Sequence, residues 1–292
     1  MSGQDAPAAV VTGASSGIGR AIAATLTDAG WRVFAGVRKE ADGAALRDAL
    51  GPRLTPLIFD VTDAPAIARA ADTVSGALGG RALKGLVNNA GIAVGGPLAH
   101  LPMEDLHRQL DVNLYGALRV TQAFLPMLGA DRRFQGPPGR IVNMSSVAGK
   151  NAMPLNGPYS ISKHALEAMS ETLRREILPL HGIDVVIIGP GAVRTPIWEK
   201  PKLDDYRKYQ HTAYWPYLKR MAALMKEVGD DGLEPEAVGR LVLRALTAKR
   251  PKTRYAILKN RFMLWTLPRL LPRRMVDAMI AKRFGMAPAG RR

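Results

Sequence analysis

Tyr159 stands four residues before Lys163 and thirteen after Ser146. Positions i and i+4 share one face of a helix, so the phenol and the ammonium would project side by side. A free tyrosine has a pKa near 10 and is almost wholly protonated at neutral pH. A neighbouring ammonium and an oxidised nicotinamide are both positive and favour the phenolate, which is expected to draw Tyr159 down and make it a usable proton donor and acceptor. Taken singly, each residue has an ordinary explanation. A lone buried tyrosine belongs to a core, a lone lysine to solvent, and a serine after a strand to a turn or cap. The ordered set, behind a glycine-rich turn, describes a hydride-transfer site.

That turn is Thr12-Gly13-Ala14-Ser15-Ser16-Gly17-Ile18-Gly19. Gly13 allows the tight bend, Gly17 lets backbone amides approach a phosphate, and Gly19 lets the following helix pack closely. The helix N-terminus adds N–H donors and a partial positive charge for a pyrophosphate. Gly13, Ser15, Ser16, Gly17, Ile18 and Gly19 are therefore expected to hold a dinucleotide. The spacing is Gly-x-x-x-Gly-x-Gly, which differs from the Gly-x-Gly-x-x-Gly fingerprint. NAD-selective sites place a carboxylate near the end of the second strand. Here that strand runs into Arg38 and Lys39, with no acidic residue before Glu40. Arg38, assisted by Lys39, is expected to bind a 2′-phosphate, which points to NADP(H).

Apolar runs at 8–12, 32–37, 55–59, 85–88, 140–144, 184–188 and 254–258 alternate with helical stretches near 17–29, 64–78, 102–128, 158–180 and 235–248. Continuous Val/Ile-rich strands between helices imply an α/β fold. The expectation is a Rossmann-type, doubly wound parallel sheet of about seven strands with helices on both faces. Residues 1–258 would form one such domain, and 259–292 a C-terminal extension. Residues 195–231 interrupt the alternation and hold Trp198, Tyr206, Tyr209, Tyr214, Trp215 and Tyr217. Ligands in open α/β sheets sit at the carboxyl ends of the strands, so this insertion reads as a substrate lid.

The 292 residues contain no cysteine, which excludes disulfides, thiolate metal sites and a thiol nucleophile. No signal sequence is apparent at the N-terminus, and no apolar run is long enough to span a bilayer. A cytoplasmic protein, soluble or peripherally attached to a membrane, is expected. The net charge is +16, of which +12 falls in residues 249–292. Within 260–285, large apolar residues alternate with arginines, and 273–284 reads as a short amphipathic helix. Trp265 among cations and apolar side chains suits an anionic membrane surface, while packing over the substrate pocket or at a subunit interface is the competing reading. Nucleic-acid binding is not expected, since no recognised motif supports it.

On these motifs the chain resembles the short-chain dehydrogenase/reductase superfamily in its single-domain form. The matching positions are the 12–19 turn, Asp60, Asn88-Asn89-Ala90-Gly91, Asn113, Ser146, Tyr159-x-x-x-Lys163 and Pro190-Gly191-Ala192-Val193-Arg194-Thr195. The resemblance implies that Ser146 hydrogen-bonds the substrate oxygen, with Ser145 as the alternative. It implies that Lys163 also holds the nicotinamide ribose and that Asn113 positions a proton-relaying water. Asp60 and Val61 would flank the adenine, and Asn88, Ala90 and Gly91 would line the cofactor. Pro190, Gly191, Val193 and Thr195 would fix its nicotinamide end, and a homodimer or homotetramer is implied. Gly189 departs from the larger polar residue often found there, which would loosen the nicotinamide pocket.

The reading is an NADP(H)-dependent oxidoreductase acting on a secondary alcohol or ketone. The aromatic insertion and apolar tail point to a bulky, lipophilic substrate (steroid-, retinoid- or aromatic-like), with a loose similarity to retinol and hydroxysteroid dehydrogenases. A 3-ketoacyl carrier-protein reductase is the enzymatic alternative, separable by competition with acidic carrier protein. A non-catalytic dinucleotide sensor is the other, and would bind NADPH without turnover.

Overall fold

The computed structural model describes residues 6–198 and 203–286. Parts of the expected N-terminus, lid and extension (1–5, 199–202 and 287–292) lie outside the described residues. The strands are β1 (Ala8–Thr12), β2 (Arg32–Val37), β3 (Leu54–Ile58), β4 (Gly85–Asn88), β5 (Arg140–Met144), β6 (Asp184–Pro190) and β7 (Arg254–Ile257). The helices are α1 (Gly17–Asp28), α2 (Glu40–Leu50), α3 (Ala64–Leu78), α4 (Met103–Leu110), α5 (Ala117–Phe124), α6 (Gly157–His181), α7 (Trp215–Asp230), α8 (Pro235–Thr247), α9 (Leu267–Leu270) and α10 (Arg273–Phe284).

All seven strands pair in parallel, in the order β3-β2-β1-β4-β5-β6-β7. Both faces of the sheet are covered, which is why β1 is apolar and buried along its whole length. One core layer joins Val10, Phe34, Leu86 and Ile141 to α3 and α5 through Val74, Leu78, Val120 and Phe124. The other joins Val11, Val87 and Val186 to α1 and α8 through Ile22, Leu26, Val238 and Val242. Strand order reverses beside β1, and the crevice at the carboxyl ends of β1 and β4 is where such sheets bind ligands.

Three local features differ from the sequence expectation. Residues 40–50 form α2, whose amphipathic signal is weak because only Gly43 and Leu46 are buried. Glu40 and Asp42 in its first turn complement the helix dipole, and Gly51, with φ of 80°, ends it. The expected continuous helix over 102–128 is broken into α4, a π-helical turn at Asp111–Gly116, α5 and a short 3-10 turn at Pro126–Leu128. Strand β6 runs two residues further than its apolar run, because Gly189 and Pro190 still pair with Ala256 and Ile257 of β7.

The insertion after β6 folds as 3-10 turns (Pro196–Trp198, Leu203–Tyr209) and α7. Tyr206 and Tyr209 are buried with Leu155, Leu218 and Met221, and Phe284 and Met286 of the extension pack against that cluster. Tyr206 also approaches Gly95, and Tyr209 approaches Gly96.

Candidate functional site

The carboxyl end of β1 is tied to that of β4 by Thr12. Its Oγ1 accepts the main-chain N–H groups of Asn89 and Ala90, each at 3.0 Å. Asn89 returns the contact through Nδ2, which donates to the carbonyls of Thr12 (3.0 Å) and Gly13 (3.2 Å). Between these anchors the chain turns into α1. A Cβ on Gly19 would stand 2.1 Å from the Gly13 carbonyl oxygen, so only glycine lets the helix start this close to the turn. Gly17 has φ of 53°, and a Cβ there would reach Thr195 at 3.0 Å. Ser16 precedes α1 in extended conformation without a side-chain cap, leaving the first-turn amides to the cleft.

The cleft has a volume of about 230 Å³. Gly13, Ser15, Ser16, Gly17, Ile18 and Gly19 floor it, and Arg38, Asp60 and Val61 close one end. Ala90, Gly91, Tyr159, Lys163, Pro190 and Thr195 line the rest. The glycine cradle, uncapped helix start and exposed cation at the end of β2 fit a dinucleotide. The Arg38 side chain is 72% exposed and stands 4.0 Å from Asp60 Oδ2. Asp60 Oδ1 is already held by Thr62, through its amide at 2.9 Å and hydroxyl at 2.8 Å.

At the other end, α6 brings Tyr159 and Lys163 to the wall one turn apart. Tyr159 lies beside Ser146, whose hydroxyl donates to the Pro190 carbonyl at 3.4 Å and accepts the Ala148 amide at 3.1 Å. Ser145 is not interchangeable with it, because the Ser145 hydroxyl donates to Glu167 at 2.7 Å. Lys163 is buried, donates from Nζ to the Met144 carbonyl at 2.7 Å, and lies 5.6 Å from the Tyr159 ring centroid. Burial pushes the Tyr159 phenol above its ordinary value, and the Ser146 hydroxyl beside it pulls against this. The expected fall was for a phenol flanked by both the ammonium and an oxidised nicotinamide. Burial is the dominant cause, and the hydrogen bond of the Lys163 ammonium goes to the main chain. Burial also lowers Lys163 to about 8, against the pull of the Glu167 carboxylate.

Residues 7–205 match the short chain dehydrogenase family. The chain belongs to that family. It is 38% identical over 94% of its length, and 96% of the relative's, to an NADPH-dependent 3-dehydrocapnine reductase of Ornithobacterium rhinotracheale. It is 35% identical to retinol dehydrogenase 5 of Mus musculus, covering 92% of this chain and 86% of the relative. Among solved structures, a short chain dehydrogenase/reductase of Burkholderia phymatum in complex with NAD superposes with a TM-score of 0.76. It is 27% identical, over 96% of this chain and 97% of that one.

Within this short-chain dehydrogenase, five expected site residues stand outside the cleft lining: Ser146, whose neighbour Ser145 does line it, and four others. Asn88 turns into the core, where Nδ2 donates to Asn143 Oδ1 (2.8 Å) and Thr121 Oγ1 (2.9 Å). Gly191 packs under Leu258, while Val193 is 2% exposed and bridges to Leu233. Asn113, in the π-helical turn, accepts the Ile92 amide at 2.8 Å and donates to the Ile92 carbonyl (3.0 Å) and Ser162 (3.1 Å). Its side chain thus braces β4's exit against α6. Two residues to which the sequence reading gave no role are central. Asn89 holds the glycine turn, and Glu167 lies behind the serines; its spacing continues the i, i+4 series from Tyr159 and Lys163.

Proposed function

We propose that this short-chain dehydrogenase is NADP(H)-dependent and interconverts a secondary alcohol and a ketone on a bulky, lipophilic substrate. Tyr159 and Lys163, sharing one cleft with Arg38 and with Ser146 beside the phenol, carry the reading. When bound, the dinucleotide supplies or accepts the hydride. In the reductive direction, Tyr159 gives its proton to the substrate oxygen as the carbonyl carbon gains the hydride, leaving a neutral alcohol. Ser146 hydrogen-bonds that oxygen as charge develops on it. A phenol held high by burial stays protonated, which suits a donor. Lys163 opposes the charge left on Tyr159 and holds the ribose. Since the Asn113 side chain is committed, a relay water would be held by the main chain of its π-helical turn.

Arg38 supports the 2′-phosphate, and a relative named for NADPH-dependent reduction agrees with it. Relatives named for retinol and 3-dehydrocapnine support a lipophilic substrate. Phe262, Met263, Leu270, Met275 and Met279 are exposed among the cations of the extension, and we assign them to contact with an anionic membrane surface. Among the described residues no helix is long and apolar enough to cross a membrane.

The test is initial rates of NADPH and NADH oxidation over ketones graded by size. Turnover with NADPH on bulky apolar ketones is expected, and Tyr159→Phe should lower kcat by about 100-fold or more. A Tyr159→Phe variant as fast as the parent would refute the assignment.

A further inference from the structure

Behind Ser145 and Ser146 lies a buried ion network that the proposed chemistry does not use. Glu167, one helical turn beyond Lys163 on α6, is 1% exposed. It accepts the Ser145 hydroxyl, and both its oxygens accept Arg254 Nε at 2.9 Å. Lys150 Nζ is 3.4 Å from Glu167 Oε2. A second guanidinium nitrogen of Arg254 donates to the main-chain carbonyl of Ser146 at 3.2 Å. The Arg254 guanidinium sits 4.3 Å from the centroid of the Trp265 ring, and Arg269 lies 4.6 Å from the same ring. Trp265 belongs to the extension and is 7% exposed, although its neighbours Phe262, Met263 and Leu264 face outward.

Space has been left for this network. A Cβ on Gly189 would lie 2.4 Å from Arg254 Nη2 and 3.0 Å from its Cζ. A Cβ on Gly149 would lie 2.6 Å from Ser145 Oγ and 3.1 Å from Glu167 Cγ. The absence of a side chain at Gly189 therefore has a structural use as well. It opens the passage through which Arg254, on the last strand, reaches past β6 to the loop after β5. The carbonyl of Ser146 is held from one side and the hydroxyl of its neighbour from the other. A well-packed apolar cluster could replace a buried ion pair without loss of stability. What such a cluster lacks is a set of directed hydrogen bonds on the two residues that orient the Ser146 hydroxyl.

We propose that Glu167 and Arg254 are positioning residues for the Ser146–Tyr159 pair, clasped by Trp265, so that the C-terminal extension is a working part of the active site. The proposal rests on the assignment of Tyr159 as the proton donor, and its test carries Tyr159→Phe in parallel.

The full-length protein is compared with Trp265→Ala, Trp265→Phe, Arg254→Lys and Gly189→Ala. NADPH binding counts competent sites, and kcat and KM are measured per site. Trp265→Ala, Arg254→Lys and Gly189→Ala should each lower kcat about 10-fold or more, with NADPH affinity held within about twofold. Trp265→Phe, which keeps a ring over the guanidinium, should recover most of the loss. A purely structural role predicts fewer competent sites but an unchanged kcat per site, and that result would overturn the proposal. So would a Trp265→Phe variant as slow as Trp265→Ala. If Trp265→Ala does not fold, Arg254→Lys, which keeps the charge, decides. Loss of turnover in Tyr159→Phe alone sinks the clasp and spares the catalytic assignment. An unaffected Tyr159→Phe sinks both.

Discussion

Lys163 donates its ammonium to the carbonyl of Met144 at 2.7 Å, inside the core and one helical turn beyond Tyr159. Burial lowers this lysine to about 8, with Glu167 opposing. In the unfolded chain it would titrate near 10.4. Between those values the unfolded chain binds more protons, so this group makes stability rise as pH rises through the window. Below pH 8 both states are protonated, and the cost of burying the ammonium is fully present.

Lys163→Met should therefore be more stable than the parent at pH 7, while losing turnover. The relief is about 3 kcal/mol, offset by about 1 kcal/mol for the lost hydrogen bond. Calorimetric Tm values from pH 7 to 10 should show the gap narrowing as pH rises. A variant less stable at pH 7 would mean the ammonium stabilises the fold it sits in.

Arg38 is exposed and has only a 4.0 Å ion-pair contact with Asp60, so its removal should leave the fold intact. Charge-assisted hydrogen bonds to a phosphate are worth about 1.5–3 kcal/mol. Arg38→Ala should lower kcat/KM for NADPH by about 10- to 100-fold and leave NADH nearly unchanged. Equal losses with both cofactors would mean that Arg38 does not read the 2′-phosphate.

The glycine turn, the sheet and the Tyr159–Lys163 pair were legible because each depends on local spacing. Gly13, Gly17 and Gly19 announce a tight turn, and strands buried on both faces read as continuous apolar runs. The direction of the Tyr159 shift was not legible, because it depends on burial, a property of the whole fold. The partners of the Asn113 side chain, Ile92 and Ser162, were not legible because they come from other elements. Trp265 was left between a surface anchor and a packing residue, because nothing in 260–285 betrays that Arg254 reaches it. Arg254 itself looks like an unremarkable edge-strand cation until Gly189 is seen to leave it a passage.

The extension presents Phe262, Met263 and Leu270 at 62%, 54% and 73% exposure, close in sequence to Arg261, Arg269, Arg273 and Arg274. Burying a Phe or Leu side chain is worth about 1.5–3 kcal/mol, so Phe262→Ser with Leu270→Ser should reduce vesicle binding by about 100-fold. Co-sedimentation should favour vesicles containing phosphatidylserine over phosphatidylcholine alone, and weaken in high salt. Failure to sediment with either vesicle would leave these residues as a protein contact.

Glu167 and Arg254 are also open to a thermodynamic test that separates pairing from burial. Removing one partner of a buried pair costs about 3–5 kcal/mol, because the remaining charge is left unpaired. Glu167→Leu and Arg254→Met should each destabilise on that scale. Arg254→Met leaves Glu167 with Ser145 and the more distant Lys150, so its loss should be the smaller of the two. In the double variant no buried charge of the pair remains, and much of the stability should return, a coupling of about 2–3 kcal/mol in urea unfolding. Turnover should not return with it, since neither replacement can hold the Ser146 carbonyl or the Ser145 hydroxyl. Recovery of both stability and kcat in the double variant would show that the pair serves packing alone.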